Sequence, residues 1–140
     1  MKIILDRYTS VGFKHYGTMT TCNDLARGVR VTQFEKADYP AVYIITDAKT
    51  NEVLKIGETQ DISKRCRAYQ SILNATNNRI REYVHHEGDV NIYALELMVI
   101  RMDVLGFECS ANVGKSLESH LLFEWMDKCQ TLPKLNATRR

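Results

Sequence analysis

The sequence predicts an α+β fold, with a small mixed or antiparallel sheet of three strands flanked by helices. Three observations support this prediction. Two β-rich runs close to residues 45 and 55 flank a turn, a third β-rich run follows residue 90, and amphipathic helical patterns lie between and after them. A chain of 140 residues that is 44% hydrophobic can bury one core.

Pro40 divides the chain into an irregular extension, residues 1–39, and a strongly patterned domain, residues 40–137. Within the extension, residues 2–6 and 29–34 have strand-like composition. Thr21 is a candidate cap for a short helix that ends at Gly28. We expect these residues to form an irregular extension of the domain.

The domain begins with a predicted hairpin. Residues 41–47 read Ala-Val-Tyr-Ile-Ile-Thr-Asp, which is typical of a strand, residues 48–51 are turn formers, and residues 52–57 form the partner strand. Asp61 then caps a helix that we expect to reach about Asn74.

The second half of the domain continues with a helix over about residues 77–86, which Gly88 and Asp89 end. Residues 90–100 are the most β-rich segment of the chain. We expect a loop over residues 107–113 and a last helix over about residues 115–130, ending before Pro133. The predicted order is therefore ββααβα.

Two of these helices carry a charged residue inside an apolar stripe. At about 100° per residue, Arg65 falls between apolar positions of its helix, while Lys64 and Arg67 point elsewhere. Glu118 lies near the middle of the stripe of the last helix. A charge on the core side of a helix is costly unless an opposite charge meets it. A structural ion pair and a functional site both satisfy this requirement.

The order and spacing of five features resemble those of the GIY-YIG nucleases. The features are Ala41-Val42-Tyr43, Lys55-Ile56-Gly57, Arg65, Glu118 and Asn136. In that family the two tripeptides lie on neighbouring strands, and the resemblance covers about residues 40–137. The sequence is most similar to restriction-type members, in which a lysine replaces the second motif tyrosine.

The resemblance implies a divalent-metal-dependent DNA endonuclease that hydrolyses phosphodiester bonds, of a restriction-like or of a phage or mobile-element type. By this resemblance Glu118 holds one Mg²⁺ or Mn²⁺ ion per site, and Arg65 binds a phosphate oxygen. Tyr43 takes a proton from water, while Lys55 helps the phenol lose its own proton and holds the phosphate.

Further site residues follow from the same resemblance. Tyr69 lies one helical turn after Arg65, where many members carry histidine or tyrosine, so we expect it to assist positioning. Asn136 matches the closing asparagine that braces the site through hydrogen bonds. Lys64 and Arg67 are expected to contribute substrate-binding charge on the same helix.

Alternatives stay open at the level of sequence. A domain with altered tripeptides can bind nucleic acid without cleaving it, and an unrelated enzyme or interaction domain is a further alternative. Tyr69 is equally compatible with a core role, and Lys55 with a solvated position at the end of a strand. A carboxylate facing a polyanion has no use in a pure binding module, so Glu118 favours catalysis.

The bulk composition excludes little. A net charge of +2 does not by itself indicate a nucleic-acid partner. The four cysteines lie far apart and no apolar run approaches a membrane span, which predicts a cytoplasmic protein with free thiols. With DNA as the partner, we expect residues 1–39 to contact it or to join subunits, and a homo-oligomer to cut both strands.

Overall fold

The computed structural model describes residues 5–10, 12–22, 28–34, 38–71, 78–97, 99–104, 107–112 and 114–136. Within these ranges no helix is long and apolar enough to cross a membrane. The elements, in chain order, are α1 (Asp6–Thr9), β1 (Lys14–Thr21), β2 (Val29–Gln33), β3 (Ala41–Asp47), β4 (Val53–Thr59), α2 (Ile62–Tyr69), α3 (Asn78–Glu87), β5 (Val90–Glu96), β6 (Val99–Val104), β7 (Phe107–Asn112) and α4 (Gly114–Cys129).

The main sheet has five strands in the order β2-β1-β5-β3-β4, and every neighbouring pair is antiparallel. The α+β class is confirmed, but the expected count of three strands is wrong. Part of the presumed extension supplies the other two strands. In β1, Tyr16 and Met19 are buried among threonines and other polar residues, and a register shift lies between His15 and Gly17. Because buried and exposed residues do not strictly alternate in β1, the alternation of apolar and polar residues does not predict this strand.

Other expectations for the first residues have mixed outcomes. The strand over Val29–Gln33 is confirmed. The strand expected over residues 2–6 is wrong at its end, because Asp6 begins α1, and residues 1–4 lie outside the described part. The helix expected after Thr21 falls on residues 23–27, which are also outside it, and Thr21 itself ends β1.

The hairpin of β3 and β4 forms as predicted. All seven residues of β3 are buried, since the strand lies inside the sheet with helices on both faces. At its turn, the carboxylate of Asp47 accepts hydrogen bonds from the backbone N–H of Lys49 at 2.8 Å and of Thr50 at 3.1 Å. Asn51 adopts a φ of 61°, a left-handed conformation that asparagine tolerates.

The helices follow their predicted start signals more closely than their ends. Asp61 caps α2, because its carboxylate accepts from the backbone N–H of Lys64 at 3.0 Å. The helix ends at Tyr69 rather than near Asn74, and Gln70 forms its C-cap. Gly88, with a φ of 115°, directly follows α3.

A second sheet replaces an expected loop. Residues 107–113 were expected to be irregular, but Phe107–Asn112 forms β7, which pairs antiparallel with β6. The sequence Phe-Glu-Cys-Ser-Ala-Asn has little β propensity of its own, so the strand depends on its partner. The β-rich run over residues 90–100 is correspondingly divided between β5 and β6.

Two apolar clusters cover the faces of the main sheet. Tyr43 and Ile45 pack with α2 and α3 on one face, and Val42 and Ile44 pack with α1 and α4 on the other. The strand β4 forms one edge of this sheet, and α4 packs against it. The predicted site residues lie on the elements that meet around this edge.

Candidate active site

Tyr43 occupies the centre of the site and depends on a glycine beside it. Tyr43 on β3 is paired with Gly57 on β4. A Cβ atom at Gly57 would lie 2.5 Å from the hydroxyl oxygen of Tyr43, far inside van der Waals contact. The missing side chain therefore makes the space in which the phenol ring lies, which explains why the second tripeptide ends in glycine.

Three side chains meet at the Tyr43 hydroxyl. The hydroxyl oxygens of Tyr43 and Tyr69 are 3.0 Å apart, and Arg65 Nε donates to Tyr43 at 3.2 Å. Arg65 Nη2 lies 3.4 Å from the Tyr69 hydroxyl, and the guanidinium carbon is 4.7 Å from the centroid of the Tyr69 ring. Because Arg65 and Tyr69 are four residues apart on α2, one helical turn brings both to β3.

Tyr69 is deeply buried beside Tyr43. Burial raises the pKa of Tyr69 well above its usual value, and the proximity of Tyr43 raises it further. Tyr69 therefore stays protonated, and either phenol can donate the hydrogen bond between the two oxygens. The Tyr43 oxygen also accepts a hydrogen bond from Arg65 Nε.

Arg65 remains a cation throughout. Burial alone would lower its pKa, but the hydroxyls of Tyr43 and Tyr69 outweigh burial and raise the pKa above its usual range. The guanidinium is half-buried rather than enclosed. It can therefore offer N–H groups to an anion while it holds the two tyrosines.

Lys55 adds a second positive charge on β4. Its ammonium nitrogen is 5.8 Å from the centroid of the Tyr69 ring. Burial lowers the pKa of Lys55 to about 8, and the repulsion of Arg65 and of Arg79 adds to this effect, while Glu118 opposes it. An amine whose charge is resisted by neighbouring cations gains from a nearby anion. The site is electrostatically prepared for one.

Glu118 supplies the negative charge. It is half-buried in the first half of α4, and its carboxylate favours the charged form of Lys55. Within the described ranges there is no group of three or more His, Cys, Asp or Glu residues that could hold a metal ion. Magnesium sites that act on nucleic acids often take one or two carboxylates and are completed by phosphate oxygens and water. The donor chemistry of Glu118 fits such an ion.

Asn136 braces the edge strand. Its side-chain oxygen accepts from the backbone N–H of Ile56 at 3.0 Å, and its side-chain nitrogen donates to the carbonyl of Ile56 at 2.9 Å. The backbone N–H of Leu135 donates to the carbonyl of Leu54 at 2.8 Å. These bonds cover the outer edge of β4 on both sides of Lys55, so Asn136 acts on the site through the position of that strand.

The remaining cations differ in whether they lie near the site. Lys64 and Arg67 are exposed on α2, away from the cluster formed by Tyr43, Arg65 and Tyr69, and Arg67 Nη1 donates to the Ser63 hydroxyl at 2.8 Å. Arg79 on α3, in contrast, is close enough to affect Lys55. The sequence offers Arg79, together with Arg81, Arg139 and Arg140, either as a phosphate track or as scattered surface arginines, and periodicity does not decide between the two. Arg139 and Arg140 lie outside the described residues.

Known proteins with this fold include DNA-cutting enzymes. Residues 41–101 match the T5orf172 domain. The chain is similar to a glutamate-to-alanine mutant of bacteriophage T4 EndoII, with a TM-score of 0.69 and 18% sequence identity over 94% of this chain and 97% of that chain.

A second similar structure is restriction endonuclease Hpy188I in complex with product DNA, with a TM-score of 0.60 and 15% identity over 99% of this chain and 88% of that chain. No curated protein sequence matches the chain significantly. At these identities the structural likeness establishes the shared fold.

Proposed function

We propose that the chain is a divalent-metal-dependent DNA endonuclease of the GIY-YIG type. The observation that carries the proposal is the hydrogen-bonded cluster of Tyr43, Arg65 and Tyr69, with the charges of Lys55 and Glu118 acting beside it. The shared fold with a phage endonuclease and a restriction endonuclease supports it.

In this proposal Tyr43 is the general base. The water oxygen bonds to phosphorus, the water proton passes to the Tyr43 oxygen, and the bond from phosphorus to the 3′ oxygen breaks. For this step Tyr43 acts as a phenolate, and Tyr69 and Arg65 hold its oxygen in position. The departing oxygen then takes a proton from solvent.

Arg65 and Lys55 hold the phosphate. Negative charge grows on the nonbridging oxygens as water attacks, and two fixed cations in a half-buried site counter it more effectively than solvent does. Arg65 presents its guanidinium from α2, while Lys55 approaches from the strand that Asn136 braces. Lys64 and Arg67 would contact phosphates farther along the duplex.

Glu118 would hold the metal ion. When bound, a divalent ion supplies Lewis-acid neutralisation of the phosphate and the leaving oxygen. The chain supplies one carboxylate on α4 that acts on Lys55, so an ion held there would add its positive charge to those of Arg65 and Lys55.

The proposal also covers the biological type of the enzyme and its assembly into oligomers. One set of these residues cuts one strand, so a double-strand break requires two copies of the chain or two encounters, and we propose a restriction-like or phage-type enzyme that acts as a homo-oligomer. Residues 1–39 would serve DNA contact or subunit contact, and this segment contains the edge strand β2.

A plasmid-nicking assay with Mg²⁺, with Mn²⁺ and with EDTA tests the proposed activity, alongside a measurement of duplex binding. We expect nicks that require the metal. Duplex binding without nicking under any metal would contradict catalysis and favour the nucleic-acid-binding module. Absence of both binding and nicking would contradict both functions.

A further inference from the structure

Arg79 lies in the first turn of α3, with its side chain in solvent. A positive charge is unfavourable there, because the N-terminal end of a helix carries partial positive charge of its own. Arg79 Nη1 donates to the backbone carbonyl of Asn136 at 3.1 Å. A guanidinium has five N–H groups, so this bond leaves donors for another acceptor.

The neighbouring Arg81, on the same helix, has a structural role and provides a comparison for Arg79. Arg81 is 3% exposed, and it donates to the carbonyl of Ser71 at 2.7 Å and to the side chain of Asn78. Arg79, two residues earlier, is exposed and is anchored by one carbonyl. Helix packing explains Arg81, but it gives no reason for a cation at Arg79.

Arg79 also borders a groove beside the site. The groove encloses about 400 Å³ between the start of α3 and the segment that follows α4, and its polar lining includes Arg79, Gln130, Lys134 and Asn136. The groove is linked to the site through Asn136, which lines the groove and is hydrogen-bonded to Ile56, the residue after Lys55.

Arg79 adds to the charges that act on Lys55. Among the described residues, Arg65 and Arg79 disfavour the charged form of Lys55, and Glu118 favours it. Arg79 therefore contributes positive charge beside the place where the proposed phosphate is held. A second phosphate at Arg79 would meet this charge.

We propose that Arg79 binds a backbone phosphate adjacent to the one that is cut, so that the groove beside α3 guides the DNA past the site. The inference rests on the proposed function for its ligand, a DNA duplex. It assigns Arg79 a binding role, so the test measures duplex affinity rather than cleavage.

The test measures duplex affinity in EDTA over a range of NaCl concentrations for the wild type and four variants. Each lost phosphate contact lowers the slope of log affinity against log salt by about 0.9. We expect this loss in Arg79→Ala and in Arg79→Gln, which has no charge but can still donate to Asn136. Arg79→Lys should keep the slope, because it keeps the charge.

Lys128→Ala is the matched control for loss of one positive charge. Lys128 lies on α4, is 3.8 Å from Glu124, and is not among the residues that line the groove. Its slope should equal that of the wild type. A change in folding alone would alter the affinity at every salt concentration without changing the slope, and circular dichroism melts measure that change separately.

The outcomes separate this inference from the proposed function. A wild-type slope for Arg79→Ala and Arg79→Gln would overturn the inference, even if the enzyme cleaves DNA. The expected slopes without cleavage by the wild type would support the role of Arg79 and overturn the proposed function. Failure of the wild type to bind any duplex would overturn both.

Discussion

The two ends of β3 each pair a tyrosine hydroxyl with a charged group, and the two pairs differ in the sign of that charge and in the groups around it. Near the turn, Tyr83 donates to Asp47 at 2.6 Å, and Asp47 also accepts from two backbone N–H groups. Burial alone would raise the pKa of Asp47, but these hydrogen bonds outweigh burial and lower it. The Asp47 carboxylate is fully engaged within the turn.

At the other pair, Tyr43 and Tyr69 surround Arg65, with further cations near them and one carboxylate opposing. Here the phenols contact a cation, and Arg65, Arg79 and Glu118 all act on Lys55. Hydrogen-bonded tyrosines alone therefore do not mark a site. Convergence of several charged groups does mark one.

The largest expected effect is that of Glu118→Gln. The substitution keeps the size of the side chain and removes its charge, so metal-dependent nicking should fall by orders of magnitude while the Tm stays near that of the wild type. Duplex affinity should hold or rise, because a negative charge has been removed. Normal single-turnover nicking by the folded variant would contradict the role of Glu118.

Lys55→Met should weaken binding and change its dependence on pH. Lys55 is charged below a pKa of about 8, and a bound phosphate favours the charged form, so binding by the wild type takes up a proton above that pH. Wild-type affinity should therefore fall as pH rises through about 8, approaching tenfold per pH unit at the limit.

In Lys55→Met this pH-dependent loss should be absent. Lys55→Arg should keep the affinity of the wild type at low pH, and its affinity should not depend on pH in this range. Duplex titrations by fluorescence anisotropy at several pH values provide the measurement. A solvated lysine at a strand end would leave the wild-type and Lys55→Met profiles parallel, and that result would remove Lys55 from the site.

Gly57→Ala should lower both stability and cleavage. The new methyl group would overlap the Tyr43 ring, and overpacking of this kind costs about 1–3 kcal/mol. Because the ring must move, its hydroxyl leaves Arg65 and Tyr69. Thermal melts and nicking rates check both effects. A Tm and a nicking rate equal to those of the wild type would show that the site tolerates displacement of Tyr43.

The smallest effects are expected from Lys64→Ala and Arg67→Ala. Both side chains are exposed on α2, so each should reduce duplex affinity modestly through a smaller salt slope and leave the Tm unchanged. Salt titrations of the two variants measure this. Loss of cleavage comparable to that of Glu118→Gln would mean that the active cluster extends over the exposed side of α2.

The sequence predicts the central hairpin and the helix starts well, because each has a local cause. The run from Ala41 to Asp47 is uniformly strand-forming, and Asp61 is a strong capping residue. The strands β1 and β7 could not be predicted from local sequence. The strand β1 depends on pairing with β5, which is distant in sequence, and β7 depends on pairing with β6.

The residues of the candidate site also differ in whether local sequence can predict them. A charged residue in an apolar stripe identifies Arg65 and Glu118, because periodicity is a local property of a helix. The role of Arg79 depends on its distance from Lys55 and Asn136, which the tertiary fold sets. A single sequence contains no signal that distinguishes such an arginine from any other exposed one.

Removal of one hydroxyl from each tyrosine pair tests most directly whether the site lies at the Tyr43 end of β3. Tyr43→Phe and Tyr83→Phe make the same chemical change at the two ends of β3, and both can be measured by single-turnover nicking and by thermal melting. We expect Tyr43→Phe to cut on the order of 100-fold or more slowly with a small change in Tm.

For Tyr83→Phe we expect the reverse: cleavage near that of the wild type and a lower Tm, because a hydrogen bond to a charged group contributes about 1.5–3 kcal/mol. A Tyr43→Phe variant that cleaves at the wild-type rate, or two variants with the same losses, would contradict the assignment of the site to the Tyr43 end of the strand.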